Sequence, residues 1–216
     1  MINMEIIRRR VRYPRIEIKH DGKIKVIAPK GYDVKAFVKR KQGWIDKKLK
    51  EISDLQHQAE SKDNTLLLNG LPYELKYGDA IKIDNVRRIV MVSDLAELYT
   101  WIREKLREEV SYKAILLSRL MDTNYNRIFI KRQKTRWASC SGKGNLSFNM
   151  AMMSLPETLR EYIVVHELSH QIERNHSKKF WKVVERQYPN YKNAKAELKQ
   201  YSLVLAKNDI WKRLLN

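Results

Sequence analysis

Five consecutive residues, His166-Glu167-Leu168-Ser169-His170, together with His176, constrain this chain more than any other feature. An α-helix advances about 3.6 residues per turn, so His166 and His170 project from one face, one turn apart. Two imidazoles so placed can share one tetrahedral metal, each nitrogen at about 2.0–2.1 Å from the ion. Glu167 is displaced by one residue and lies beside such a metal rather than on it, where it can take a proton from a metal-bound water. His176 follows at a distance that lets the helix end, turn and bring back a third imidazole. The chain has only 5 histidines, and three of them fall between positions 166 and 176. That clustering separates the pattern from an H-E-x-x-H met by chance on an amphipathic helix. The plainer reading, surface histidines and an ordinary helical glutamate, stays open at this point.

The flanking residues predict the helix. Ser154-Leu155-Pro156-Glu157 has the S-x-x-E form of a capping box, with Pro156 acceptable in the first turn. Leu159, Tyr162, Ile163 and Val165 supply an apolar stripe that presses the motif helix against a core. Asn175 is a fitting terminator, because Asn tolerates the left-handed conformation. Ser177 is placed to cap a following helix that turns Phe180, Trp181, Val183 and Val184 inward, which leaves His176 in the connection between two packed helices.

Charge divides the chain unevenly. It carries 44 Lys and Arg against 25 Asp and Glu, a net charge of +19. Residues 1–50 hold 16 of the basic and 5 of the acidic side chains. Such a basic segment is either an electrostatic footprint for nucleic acid, nucleotide or another polyanion, or a set of solvated faces. No stretch approaches the roughly 20 apolar residues of a membrane span, and the N-terminus lacks the pattern of a signal peptide. A single cysteine, Cys140, cannot form an internal disulfide and fits a reducing compartment. The expectation is a soluble cytoplasmic protein with no membrane partner.

Alternating apolar residues at Arg15–Lys19 and Lys23–Ile27, joined by Asp21-Gly22, predict a hairpin after a short strand at Ile6-Ile7. Asp33 caps a helix expected through Phe37, Val38, Trp44, Ile45 and Leu49 towards Ala59, with a break near Gly43. Asn69-Gly70 marks a second hairpin, and strands are expected at 81–83 and 89–92. Asp94 opens a long helix through Leu98, Trp101, Ile102, Leu106, Val110 and Leu117. Strands return at 127–130, near Trp137 and at 146–148, and helices fill most of the remainder from Glu157. The reading is α+β, with a β-rich basic region over 1–92 and a helical, metal-bearing domain over 93–216.

The segments His166–His170 and Asn175-His176-Ser177-Lys178-Lys179-Phe180-Trp181 resemble the YgjP-like zinc metallopeptidase family. So do Gln133-Lys134-Thr135-Arg136-Trp137-Ala138-Ser139-Cys140-Ser141, the strand Leu146-Ser147-Phe148-Asn149 and the Leu155-Pro156 start of the motif helix. Looser likenesses occur at Arg8-Arg9-Arg10, Ala28-Pro29 and Trp44-Ile45. Ala138 departs from the family's usual glycine. More distantly, the WLM and SprT-like proteases, which act on DNA-bound proteins, share the histidine pattern. The resemblance implies a zincin-like metallopeptidase core. In it His166, His170 and His176 bind one zinc ion per chain and Glu167 serves as general base.

Three functions compete. The first is a zinc peptidase acting on a peptide or protein substrate, with the strand near Leu146–Asn149 as the edge that pairs with substrate backbone. The second is a metal-dependent nucleotide phosphoanhydride hydrolase, suggested by the positive charge. The third is a nucleic-acid-associated module, either a DNA-recruited protease or one whose zinc is structural. Gln133, Arg136 and Asn149 are candidates for substrate binding, while Trp137 and Trp181 read as packing residues. Cys140 is a less favoured fourth ligand, and His20 and His57 read as surface residues.

Overall fold

A computed structural model describes residues 4–11, 13–18, 24–47, 49–50, 64–133 and 135–216. The chain divides into two units, Met1–Glu60 and Ser61–Asn216.

In the first unit, β1 (Met4–Arg8), β2 (Arg15–Ile18) and β3 (Ile24–Ala28) form a sheet of order β1-β3-β2. β2 pairs antiparallel with β3, as the hairpin expectation requires, in the register Arg15↔Ile27. The Asp21-Gly22 turn lies outside the described residues, as do His20 and His57. β1 pairs parallel with β3, which short-range patterning cannot reveal. Helix α1 (Val34–Arg40) starts where Asp33 accepts a hydrogen bond from the Ala36 amide at 3.0 Å. The helix is interrupted at Lys41, two residues before Gly43, and helical turns resume over residues 42–47. Its expected continuation over 51–59 lies outside the described residues. Ile24, Val26, Ala28, Val34 and Ile45 form the core of this unit.

The second unit begins with β4 (Thr65–Leu68), β5 (Leu71–Tyr77), β6 (Lys82–Asp84) and β7 (Ile89–Val92), in the order β4-β5-β7-β6. The β4–β5 hairpin turns on Asn69 and Gly70, with φ of 52° and 80°. Two successive positive φ values are what a type I′ turn demands, and Asn-Gly supplies them at least steric cost. A methyl group on Gly70 would stand 2.7 Å from Cγ of Pro156, so the glycine also permits close docking. Then follow α2 (Leu95–Leu120), β8 (Ile128–Lys131), β9 (Ala138–Cys140), β10 (Leu146–Asn149) and a 3₁₀ turn, Met150–Ser154. Helices α3 (Glu157–Ile172), α4 (Lys178–Gln187), α5 (Tyr191–Lys207) and α6 (Asp209–Leu215) complete it. The arrangement is α+β.

The compact units divide between Glu60 and Ser61, whereas the sequence pattern places a boundary at 92–93. Leu66, Leu68, Leu75, Val90 and Val92 of the first sheet share one core with Leu98, Ile102 and Leu106 of α2 and Leu159 and Ile163 of α3. Cutting at residue 92 would expose that apolar face. The hairpin tip also docks directly, through Asn69 N–H to Met153 O at 2.8 Å and Gly70 N–H to Ser154 O at 2.9 Å.

Ser154 does not cap α3. Its hydroxyl donates to Ala151 O at 2.7 Å inside the 3₁₀ turn, and α3 begins after Pro156 without a side-chain cap. Asp94 and Ser177 do cap: Asp94 accepts from Glu97 N–H, and Ser177 accepts from Lys179 and Phe180 N–H. Strand β10 is the middle of its sheet, parallel to β8 and antiparallel to β9. The edges of this sheet are β8 and β9, so the strand at Leu146–Asn149 is not an edge, and β9 is the edge that reaches Glu167.

Arg160, only 5 % exposed, fastens α3 to its surroundings. Its guanidinium donates to Glu109 of α2 at 2.8 Å, to Asn69 Oδ1 at 2.9 Å and to Leu155 O. Removing one member of such a buried pair strands the other. Arg160→Ala is therefore expected to lower the unfolding free energy by about 3–5 kcal/mol in urea titrations. An unchanged urea midpoint would show that the pair contributes nothing net.

Candidate metal centre

Helix α3 turns Leu159, Tyr162, Ile163, Val164, Val165 and Leu168 into the core. His166 and His170 sit on the remaining arc with ring centroids 5.1 Å apart. His176 enters from the connection between α3 and α4, its ring centroid 5.0 Å from that of His166 and 4.7 Å from that of His170. Although exposed, His176 is positioned by packing. Phe180 meets its ring edge-on at 4.7 Å, and Trp181 stacks against it at 5.7 Å with the planes 26° apart. The Ser177 cap fixes the start of α4, and with it both aromatic supports.

One potential ligand nitrogen from each histidine falls within a set whose members all lie within 4.8 Å of one another. Nε2 of His166 and Nε2 of His176 are 3.0 Å apart. Ligands of a tetrahedral zinc at its usual bond lengths stand about 3.3 Å apart. The donor set is three imidazoles, whose neutral forms bind metal. Burial, reinforced by His170, His176 and Lys195, drives the pKa of His166 down to about 3, which keeps its lone pair available. His170 is lowered too, first by burial and then by His176, with backbone groups at Glu173 and Arg174 opposing. The residues present fit a divalent metal.

Glu167 is 5 % exposed. Burial raises its carboxyl to about 8, against the opposing pull of Arg136 and a backbone hydrogen bond from Cys140. That hydrogen bond brings β9 to the site. Asn149 N–H donates to Trp137 O and Ser141 N–H to Asn145 O, so residues 137, 139 and 141 direct their backbone groups at β10. Ala138 and Cys140 therefore direct theirs away from it, as alternation in an antiparallel ladder requires.

Two cavities flank the histidines. One, of about 460 Å³, is lined by Ser139, Cys140, Ser141, Gly142, Gln171 and Arg174 beside the three histidines and Glu167. The other, of about 590 Å³, is lined by Trp137, Tyr162, Ile163, Trp181, Lys195 and Leu198 beside His166, Glu167 and His176. Arg136 and Ala138 line both.

Among the candidates for substrate binding, only Arg136 reaches these cavities. Gln133 and Asn149 line a separate one of about 440 Å³ with Thr135, Ser202 and Lys212. Asn149 Nδ2 donates to Gln133 O at 2.6 Å and Arg136 O at 2.9 Å, while its Oδ1 accepts from Ala151 N–H. It therefore holds the loop that carries Arg136. Cys140 Sγ accepts from Gln171 Nε2 at 3.0 Å and lies outside the histidine set. Tyr162, Gln171, Arg174 and Lys195 escape a sequence reading. Tyr162 alone carries a signal, since it precedes His166 by one helical turn.

The sequence pattern of the YgjP-like metallopeptidase domain matches residues 12–201. The chain belongs to the YgjP-like metallopeptidase family. No curated protein matches it. Among solved structures, the crystal structure of the metallopeptidase zymogen of Pyrococcus abyssi abylysin is 23 % identical, covering 43 % of this chain and 90 % of that one with a TM-score of 0.37. That likeness is too distant to bear on the site.

The two buried groups have opposite pH signatures in the metal-free protein. Glu167, raised from 4.5 to about 8, withdraws stability as pH climbs through that interval. His166, lowered from 6.5 to about 3, withdraws it as pH falls through that one. Their combined contribution is greatest between about 4.5 and 6.5. Melting curves of chelator-treated protein are expected to lose their alkaline slope in Glu167→Gln and keep their acid slope. An unaltered alkaline slope would place the titrating group elsewhere.

Proposed function

We propose that the chain is a zinc-dependent peptidase of zincin-like design, with His166, His170 and His176 as metal ligands and Glu167 as general base. One observation carries this reading: three imidazoles converge beside a buried carboxylate, next to a strand edge whose backbone groups face outward. Bound there, zinc supplies a Lewis acid and lowers the pKa of a coordinated water to about 7. Three neutral protein ligands leave a coordination position open, the pattern of catalytic rather than structural sites.

Glu167 holds the proton. Its environment favours the neutral carboxyl when no cation is near, and a neighbouring dication reverses that preference. A carboxylate poised between the two states can take a proton from the attacking water and hand it to the leaving amine. The Cys140 backbone fixes its orientation, and Arg136, whose charge acts on Glu167, is at hand for developing negative charge. The Cys140 amide is held by Glu167, which leaves the outward backbone of Ala138 as the part of β9 that an extended peptide can pair with.

A second reading, hydrolysis of a nucleotide phosphoanhydride, draws on the charge around the site. Arg136, Arg174 and Lys195 line the two cavities, and among the described residues that line them Glu167 is the one acidic side chain. No glycine-rich phosphate loop accompanies them, and membership of a metallopeptidase family favours the first reading. Nucleic-acid recruitment through the basic residues of 1–50 is compatible with either.

Glu167→Gln is expected to retain zinc by elemental analysis while peptide cleavage falls by about 10²–10⁴ in kcat. His176→Ala is expected to lose zinc on gel filtration. Undiminished turnover in the first variant, or undiminished zinc in the second, would contradict the assigned role.

A further inference from the structure

The two flanks of the histidine cluster are chemically unlike. Towards Cys140 the walls are hydroxyls, a thiol, an amide, a glycine and the guanidinium of Arg174. Towards Trp137 they are three aromatic rings, Ile163 and Leu198, with Lys195. A peptide lying along β9 must cross from one flank to the other. Its two sides are therefore read by different surfaces.

We propose, resting on the peptidase reading above, that the cavity lined by Trp137, Tyr162, Ile163, Trp181 and Leu198 selects a large aromatic side chain immediately beside the scissile bond. Position argues for this first. His166, Glu167 and His176 form part of the same wall, so an occupant lies within one residue of the bond under attack. Size permits it, because about 590 Å³ falls in the range of clefts that take whole small ligands and so has room for any aromatic side chain.

The walls are also rigid. Trp181 is clamped between Tyr191, stacked at 5.2 Å with planes 18° apart, and His176. Lys195 Nζ lies 4.5 Å from the Trp181 ring centroid, which seats the cation against the aromatic face. Lys195 and Leu198 are three residues apart on α5, so one helix face supplies both the charge and the apolar wall. Aromatic rings meet such walls edge-on or offset, a geometry that small aliphatic side chains cannot exploit. Lys195 further favours an acidic residue next to the aromatic one.

The test uses zinc-loaded full-length protein and a peptide pool of randomised sequence, with cleavage ends read by mass spectrometry. Phe, Tyr and Trp are expected at one of the two positions flanking the cut, with kcat/KM about tenfold or more above Ala at that position. Leu198→Trp, which narrows the cavity, is expected to lower kcat/KM for peptides carrying the aromatic residue by about tenfold relative to Ala-containing ones. Lys195→Met is expected to remove any bias for a neighbouring acidic residue and leave the aromatic preference.

A binding readout runs alongside. Phenylalaninamide, and not alaninamide, is expected to shift the indole N–H resonances of Trp137 and Trp181 in wild type and to leave them unmoved in Leu198→Trp. Cleavage without aromatic preference would overturn the pocket and leave the peptidase reading standing. An uncut pool with nucleoside triphosphates consumed would overturn both, and would make the occupant a nucleobase.

Discussion

Helix α3 has to satisfy two demands at once, and the second unit is arranged around meeting both. Its apolar face must be buried between α2, the 3₁₀ turn and the sheets, while His166, Glu167 and His170 on the same helix must reach a cavity. A helix pinned by a core can hold two imidazoles in fixed relation, which a loop cannot do as accurately. The pinning is thorough. Leu168 and Ser169 are fully buried between the two histidines, and the Arg160 network ties the first turns to α2 and to the hairpin tip. The first sheet of this unit thus bears on the site through the Asn69-Gly70 turn, with no residue of its own in the cavities.

Burial then sets the chemistry. The same low-dielectric surroundings that keep His166 neutral hold the Glu167 carboxyl protonated in the absence of a cation. A dication bound beside Glu167 would ionise that acid. β9 completes the arrangement by placing a strand edge against the carboxylate. The cations around the cavities, Arg136, Arg174 and Lys195, come from three separate segments, and only Arg136 belongs to a basic run, Lys131–Arg136.

Local signals were readable where the physics is local. Asp94 and Ser177 cap their helices because a side-chain oxygen within three residues suffices. Asn69-Gly70 turns because two positive φ values are needed side by side. The convergence of His166, His170 and His176 follows from helical spacing and one short connection. What was not legible depends on distant partners. Ser154 matches a capping box, yet its hydroxyl is taken by Ala151 in a turn that the pattern does not announce. The break at residue 92 looked natural because strands give way to a helix there, but Val90 and Val92 bury against that helix. Asn149 and Arg136 stand in one motif, and only the folded chain separates the residue that holds the loop from the residue that lines the cavity. Lys195 carries no sequence signal at all, since its place depends on how α5 packs.

The central claim is that three imidazoles and no sulfur hold the metal. Zinc K-edge absorption spectroscopy of the zinc-loaded protein tests it most directly. The account predicts nitrogen and oxygen neighbours at about 2.0–2.1 Å, with outer-shell scattering that fits three imidazole rings. A sulfur neighbour at about 2.3 Å would bring Cys140 into the coordination sphere and contradict it, as would a fit requiring fewer than three rings.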